Sequence, residues 1–120
     1  MIYLSAPFST GIQNKERRED IMVSRAREIN RVAAEMIAAG QVVYSPVTHA
    51  FALQKKLTNL SHKDWMKQCL GILRHAERVV VLALPGWKSS KGVRAEIRQA
   101  NLLGVPVEIR PPNSQKGTPQ

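Results

Sequence analysis

The residue of this 120-residue chain with most chemistry to offer is Glu96. Val93, Ile97, Ala100 and Leu103 recur at the spacing of one buried helical face, and Glu96 stands three residues after Val93 and four before Ala100. That phase turns a carboxylate inward, or along the border of an apolar stripe. An unpaired carboxylate is costly to bury, so one in this position is either partnered or in use. It also lies about one turn into the helix, where the amino-terminal dipole favours an ionised, nucleophilic group. A second reading stays open, in which Glu96 pairs with Arg94 or Arg98 or reaches solvent at the helix border.

Upstream, Ser89, Ser90, Lys91 and Gly92 bring hydroxyls and backbone N–H groups to a helix start. This is either a cradle for phosphate or sugar or simple capping. Trp87 follows the turn residues Pro85 and Gly86, and either stacks on a base and closes a pocket floor or packs between sheet and helix.

Three β-rich runs alternate with helical patterns: 2–5, 42–45 and 79–84. A fourth, 105–109, contains Pro106 and reads as an edge strand. Between the first two runs, Met22, Ala26, Ile29, Ala33, Met36 and Ile37 keep helical spacing up to Gly40. Ser61 to Asp64 resembles a capping box, and Met66, Cys69, Leu70 and Leu73 form the apolar stripe of the helix behind it. A third helix is expected from about Gly92 to Leu103. The alternation predicts an α/β fold with a short, mostly parallel sheet of four to five strands.

In such sheets ligands bind beyond the carboxyl ends of the strands. The segments expected there are 5–9, 45–49 and 84–92, which makes Ser5, Pro7, Phe8 and His49 candidate binding residues with Trp87, Ser89, Ser90 and Gly92. His49 either contacts base or sugar or is a surface residue. The connection from Thr48 to Leu60, with weak helical character, is a candidate lid.

Length allows one domain, taken as 1–109, with 110–120 a polar, proline-rich tail expected to be disordered. No apolar run is long enough to span a bilayer, no basic leader precedes Met1, and Cys69 is the sole cysteine. A cytoplasmic, reducing location is expected, with no membrane partner. Three scattered histidines give no metal spacing. The net charge of +9 suits phosphate-bearing partners. Nucleic acid is among them, but would require Lys and Arg to gather on one face, and along the chain they are spread.

Tyr3 to Ser9, then Gly40 with Val43 to His49, then Leu84 to Trp87 with Ser90, Gly92, Val93 and Glu96 resemble, in consistent order over about residues 1 to 109, small bacterial and phage members of the nucleoside 2-deoxyribosyltransferase-like superfamily. The resemblance implies a flavodoxin-like three-layer fold. It also implies cleavage or transfer at the N-glycosidic bond of a nucleoside or nucleoside 5′-monophosphate, without a cofactor, in a homo-oligomer. Glu96 matches the family's nucleophile, which attacks the anomeric carbon to give a glycosyl ester; a second base or water then resolves it with retention of configuration. Tyr3 matches an aromatic residue that orients the glutamate through its hydroxyl, although a plain strand residue explains it equally. Ser90 and Gly92 fall where the hydrolase branch holds a 5′-phosphate.

One departure weighs against catalysis. Relatives place an aspartate about four residues after the tryptophan equivalent to Trp65, to bind sugar or protonate the departing base, and this chain has Cys69 there. A catalytically inactive nucleotide-binding or regulatory domain of the same fold is therefore the alternative, with Cys69 read as a small core residue.

Overall fold

A computed structural model describes residues 1–53, 56 and 59–112. In chain order the elements are β1 (Ile2–Ser5), α1 (Arg18–Ala38), β2 (Val43–Tyr44), α2 (Pro46–Leu53), α3 (His62–Leu73), β3 (Arg78–Leu82), α4 (Lys91–Leu103) and β4 (Val107–Arg110), with short 3-10 turns at Lys15–Arg17 and Trp87–Ser89. The strands form one all-parallel sheet of order β2-β1-β3-β4. Four parallel strands give the short sheet that the alternating pattern predicts, and helices on both of its faces make the α/β three-layer sandwich that the resemblance implies.

The continuous apolar runs of β1 and β3 reflect their central positions, where both faces of each strand are covered. Because side chains alternate, Leu4, Val80 and Leu82 face one layer with Ile29, Val32 and Met36 of α1. Tyr3, Val79 and Val81 face the other with Cys69 and Leu73 of α3 and Val93 and Ala100 of α4. Register pairs Tyr3 with both Tyr44 and Val79, and Ser5 with Val81. Tyr3 and Ser5 thus emerge on the side that carries α4.

Helix boundaries follow from side-chain caps. Ser61 Oγ accepts from the Asp64 amide at 3.0 Å, and Ser90 Oγ accepts from the Val93 amide at 3.3 Å. Gly104, at φ +73°, closes α4.

The boundaries differ from expectation in three places. β2 is two residues rather than four, because Pro46 opens α2 directly and the Ser45 hydroxyl accepts from the Thr48 amide. That helix also replaces the first part of the expected 48–60 connection, of which residues 54, 55, 57 and 58 lie outside the described residues. β3 starts earlier than 79–84 because Arg78 pairs with Ile2 in register, and ends earlier because the Leu84 amide turns back onto Leu82 O at 2.9 Å. β4 is an edge strand as expected, but it starts at Val107 rather than Val105, leaving Pro106 just before it, and it takes in Arg110, which the sequence assigns to the tail. Arg110 pairs with Leu82 in register, and its carbonyl accepts from the Ala83 amide at 2.8 Å. Residues 113–120 of the expected tail lie outside the described residues. No helix among the described residues is long and apolar enough to cross a membrane.

Candidate active site

Two odd-numbered side chains of β1 meet the second turn of α4. Tyr3 Oη donates to Glu96 Oε2 at 2.5 Å, and Ser5 Oγ donates to Oε1 at 2.6 Å. Tyr3 and Ser5 are fully buried and Glu96 is 4% exposed. No cation pairs with Glu96 among the described residues: Arg94 and Arg98 are exposed on the opposite face of α4, so the pairing reading fails. The carboxylate is satisfied by hydroxyls alone.

Burial pushes the Glu96 carboxyl up to about 7, while the Ser5 and Tyr3 hydrogen bonds pull it back down. Burial, and then the neighbouring Glu96 charge, hold the Tyr3 phenol far above its ordinary range, so it remains a donor at any working pH. The Cys69 thiol is raised to about 12, again by burial first and Glu96 second. A thiol in that state is neither a nucleophile nor a ready acid.

Glu96 opens onto a cavity of about 300 Å³ beyond the carboxyl ends of the strands. Phe8, Ser9 and Thr10 form one wall, Val47 and Ala50 of α2 another, and Trp65, Met66 and Cys69 of α3 a third, with Ser90 and Gly92 beside Glu96. The start of α3, at Ser61 and His62, stands at the same cavity. Thr10 Oγ1 and Ser90 Oγ are 2.8 Å apart across it, which ties the loop after β1 to the start of α4.

Of the predicted binding residues, Phe8, Ser90 and Gly92 line the cavity with Glu96, and Ser5 and Tyr3 hold that carboxylate from behind. Pro7 is fully buried below the wall. The remaining three are elsewhere. His49 lies outside the cavity because its Nδ1 is 2.8 Å from Tyr44 Oη and its ring packs edge-on between Tyr44 and Trp65. Trp87 packs against the core cluster of Tyr3 and Val79, with the Lys88 ammonium 5.7 Å from its ring centre. Ser89 is exposed, and its hydroxyl donates to Gly86 O at 3.2 Å on the far side of the turn.

The wall residues Thr10, His62, Trp65 and Met66 have no distinctive spacing, since the α3 stripe reads equally well as core. Arg25 was legible by the rule that singled out Glu96: it stands three residues after Met22 and four before Ile29 on the buried face of α1. Its guanidinium donates to the carbonyls of Phe8, Thr10, Gly11 and Pro85 at 2.7 to 3.0 Å. The loop after β1 and the turn after β3 are thereby held together. Gly11 and Gly86 meet at this junction with φ of +70° and +92°, so closely that a Cβ on Gly86 would lie 2.2 Å from Gly11 O. Among the described residues no three His, Cys, Asp or Glu side chains converge as metal ligands would.

Residues 1–110 match the family model described as Domain of unknown function (DUF1937). No curated protein matches the chain.

Proposed function

We propose that this chain, which belongs to the DUF1937 family, breaks or exchanges the N-glycosidic bond of a nucleoside or nucleoside 5′-monophosphate with Glu96 as nucleophile. The observation that carries the reading is a buried carboxylate, gripped by two hydroxyls and paired with no cation among the described residues, facing a cavity of about 300 Å³. Such a volume is at the lower end of small-molecule sites. Phe8, Trp65 and Met66 offer apolar surface to a base, while Ser9, Thr10 and Ser90 offer hydroxyls to sugar or phosphate. The resemblance to nucleoside 2-deoxyribosyltransferases, in which Glu96 aligns with the attacking glutamate, supports the same reading.

In the first step a Glu96 carboxylate oxygen bonds to the anomeric carbon as the C–N bond breaks and the base departs with a proton. Tyr3 and Ser5 fix the carboxylate and keep part of its charge stabilised before attack. Water or a second base then displaces the glutamate, so configuration is retained. The chemistry calls for no cofactor. An acid for the departing base cannot come from Cys69; His62, on the cavity wall, is the residue type suited to the task.

The raised thiol of Cys69, where relatives carry an aspartate, favours a second reading in which the pocket binds a nucleotide without turning it over. Incubation with a panel of nucleosides and 5′-monophosphates, with free base followed by chromatography, separates the two. Base release that disappears in Glu96→Ala supports the enzyme. Release unchanged in that variant overturns the role of Glu96, and no release alongside saturable nucleotide binding selects the second reading.

A further inference from the structure

The sequence scatters its basic residues, but the fold sorts them. On α1 they are balanced by acids of the same helix: four arginines stand against Glu19, Asp20, Glu28 and Glu35, Arg31 bridges Glu28 and Glu35, and Arg25 is spent on carbonyls, while Arg17 just before the helix approaches Asp20. Arg78 and Arg110 likewise share Glu108 across β3 and β4. The outer surface of the α3 and α4 layer is different. Lys63, Lys67 and Arg74 lie along α3 and its C-cap, Lys91, Arg94 and Arg98 along α4, and all six are exposed. None of the six is in an ion pair among the described residues. The exposed acid of these two helices is Asp64.

Helical geometry makes the six a track. Lys63, Lys67 and Arg74 recur at intervals of four and seven, and they border the row of Met66 and Leu70. That row faces α4, since a Cβ on Gly92 would lie 3.6 Å from Met66 Sδ. Lys91, Arg94 and Arg98 recur at three and four on the neighbouring helix. The two stripes run side by side away from the cavity, because Lys63 follows His62 and Lys91 sits between Ser90 and Gly92, all three on its wall.

We propose that the outer face of α3 and α4 docks the phosphate backbone of a single-stranded nucleic acid, led past the mouth of the cavity. Regularly spaced, unneutralised cations over two helical stripes match a polymer of evenly spaced charges. The middle of the track lacks the exposed large apolar side chains that a membrane-surface helix inserts. A single strand is favoured over a duplex because a base must be out of its stack to enter a pocket. Only this last step rests on the nucleoside reading of the cavity.

The test is fluorescence anisotropy of a labelled 20-nucleotide single strand titrated with the full chain across a salt series. If all six cations contact phosphate, log affinity falls against log salt with a slope of about −4. Lys67→Glu with Arg98→Glu should weaken binding at least tenfold at low salt and flatten the slope by about 1.4. Lys15→Glu with Arg27→Glu makes the same charge change on the α1 side and should stay within about twofold of wild type. Equal losses in both pairs, tighter binding to a duplex of the same length, or equal binding to vesicles of anionic lipid would each overturn the proposal. Strand binding without base release from any nucleoside supports the track while removing the glycosidase; base release without strand binding does the reverse.

Discussion

The phenol of Tyr3 on β1 donates to Glu96 Oε2 on α4 at 2.5 Å across 93 residues of chain, and Ser5 serves the other oxygen from the same side of the same strand. One strand therefore fixes the position of the carboxylate and lowers a proton affinity that burial has raised. Tyr3→Phe keeps the packing and removes one donor, so the Glu96 carboxyl moves above 7. Base release at pH 7 should fall about tenfold to hundredfold, by comparison with other lost charge-stabilising donors. The deficit should shrink toward alkaline pH, where the carboxylate ionises in both proteins. Ser5→Ala should shift the acidic limb of the pH–rate profile the same way. A loss with no movement of that limb would make Tyr3 a packing residue only.

Glu96 also links function to a stability cost. Its folded-state pKa, about 7, lies above the ordinary value of 4.5. The folded protein then holds this proton more tightly than the unfolded chain does. Stability from this group is greatest below about pH 4.5 and declines as pH rises toward 7, by a total on the order of 3 kcal/mol. Glu96→Gln cannot ionise. Urea unfolding at pH 5 and pH 8 should show the variant gaining on wild type by up to about 3 kcal/mol between the two, while base release drops at least a thousandfold. A variant whose stability tracks wild type at both pH values would mean that Glu96 is not held in a costly state.

The helix that carries Glu96 was readable because its apolar stripe is regular and the carboxylate interrupts it. Its partners were less so. Tyr3 and Ser5 sit in a four-residue run, too short to assign faces without knowing that β1 lies between β2 and β3 and which layer covers each side. His49, Trp87 and Ser89 belong to segments that do end at the sheet's carboxyl edge, but a loop's position does not fix where its side chains point. His49 turns to Tyr44, and Trp87 to the core. The charge track was invisible for a related reason. Lys63 and Arg98 are 35 positions apart in sequence, and only the packing of α3 beside α4 puts their surfaces together.

Cys69 supplies a gain-of-function test. It is 1% exposed, borders the cavity and lies within electrostatic reach of Glu96. Cys69→Asp supplies the acid that the proposed reaction needs beside Glu96, at the cost of a second buried carboxyl beside the first. Repulsion between them keeps one protonated near neutrality, as a general acid requires. Base release should rise about tenfold while stability falls by roughly 2 kcal/mol. Release that stays flat or declines in a folded Cys69→Asp protein would place the acid elsewhere on the wall, with His62→Ala then the variant expected to abolish it.

The cavity walls depend on a junction that tolerates no side chain. Gly40 and Gly86 share the same φ of +92°, so the backbone strain of an alanine is alike at the two, about 1 to 2 kcal/mol. Their surroundings differ completely. A Cβ on Gly40 meets nothing within 4 Å, whereas one on Gly86 meets Gly11 O at 2.2 Å and the Arg25 guanidinium at 2.6 Å. To fit it, the chain must part the loop after β1 from the turn after β3, breaking Arg25 contacts to carbonyls that hold a buried charge. Gly40→Ala should therefore cost no more than about 2 kcal/mol in urea unfolding and leave nucleotide affinity unaltered. Gly86→Ala should cost at least about 3 kcal/mol and weaken nucleotide binding, because Phe8 and Thr10 move with the displaced loop. Equal costs at the two glycines would mean that the junction yields easily and that Arg25 does not fix the cavity wall.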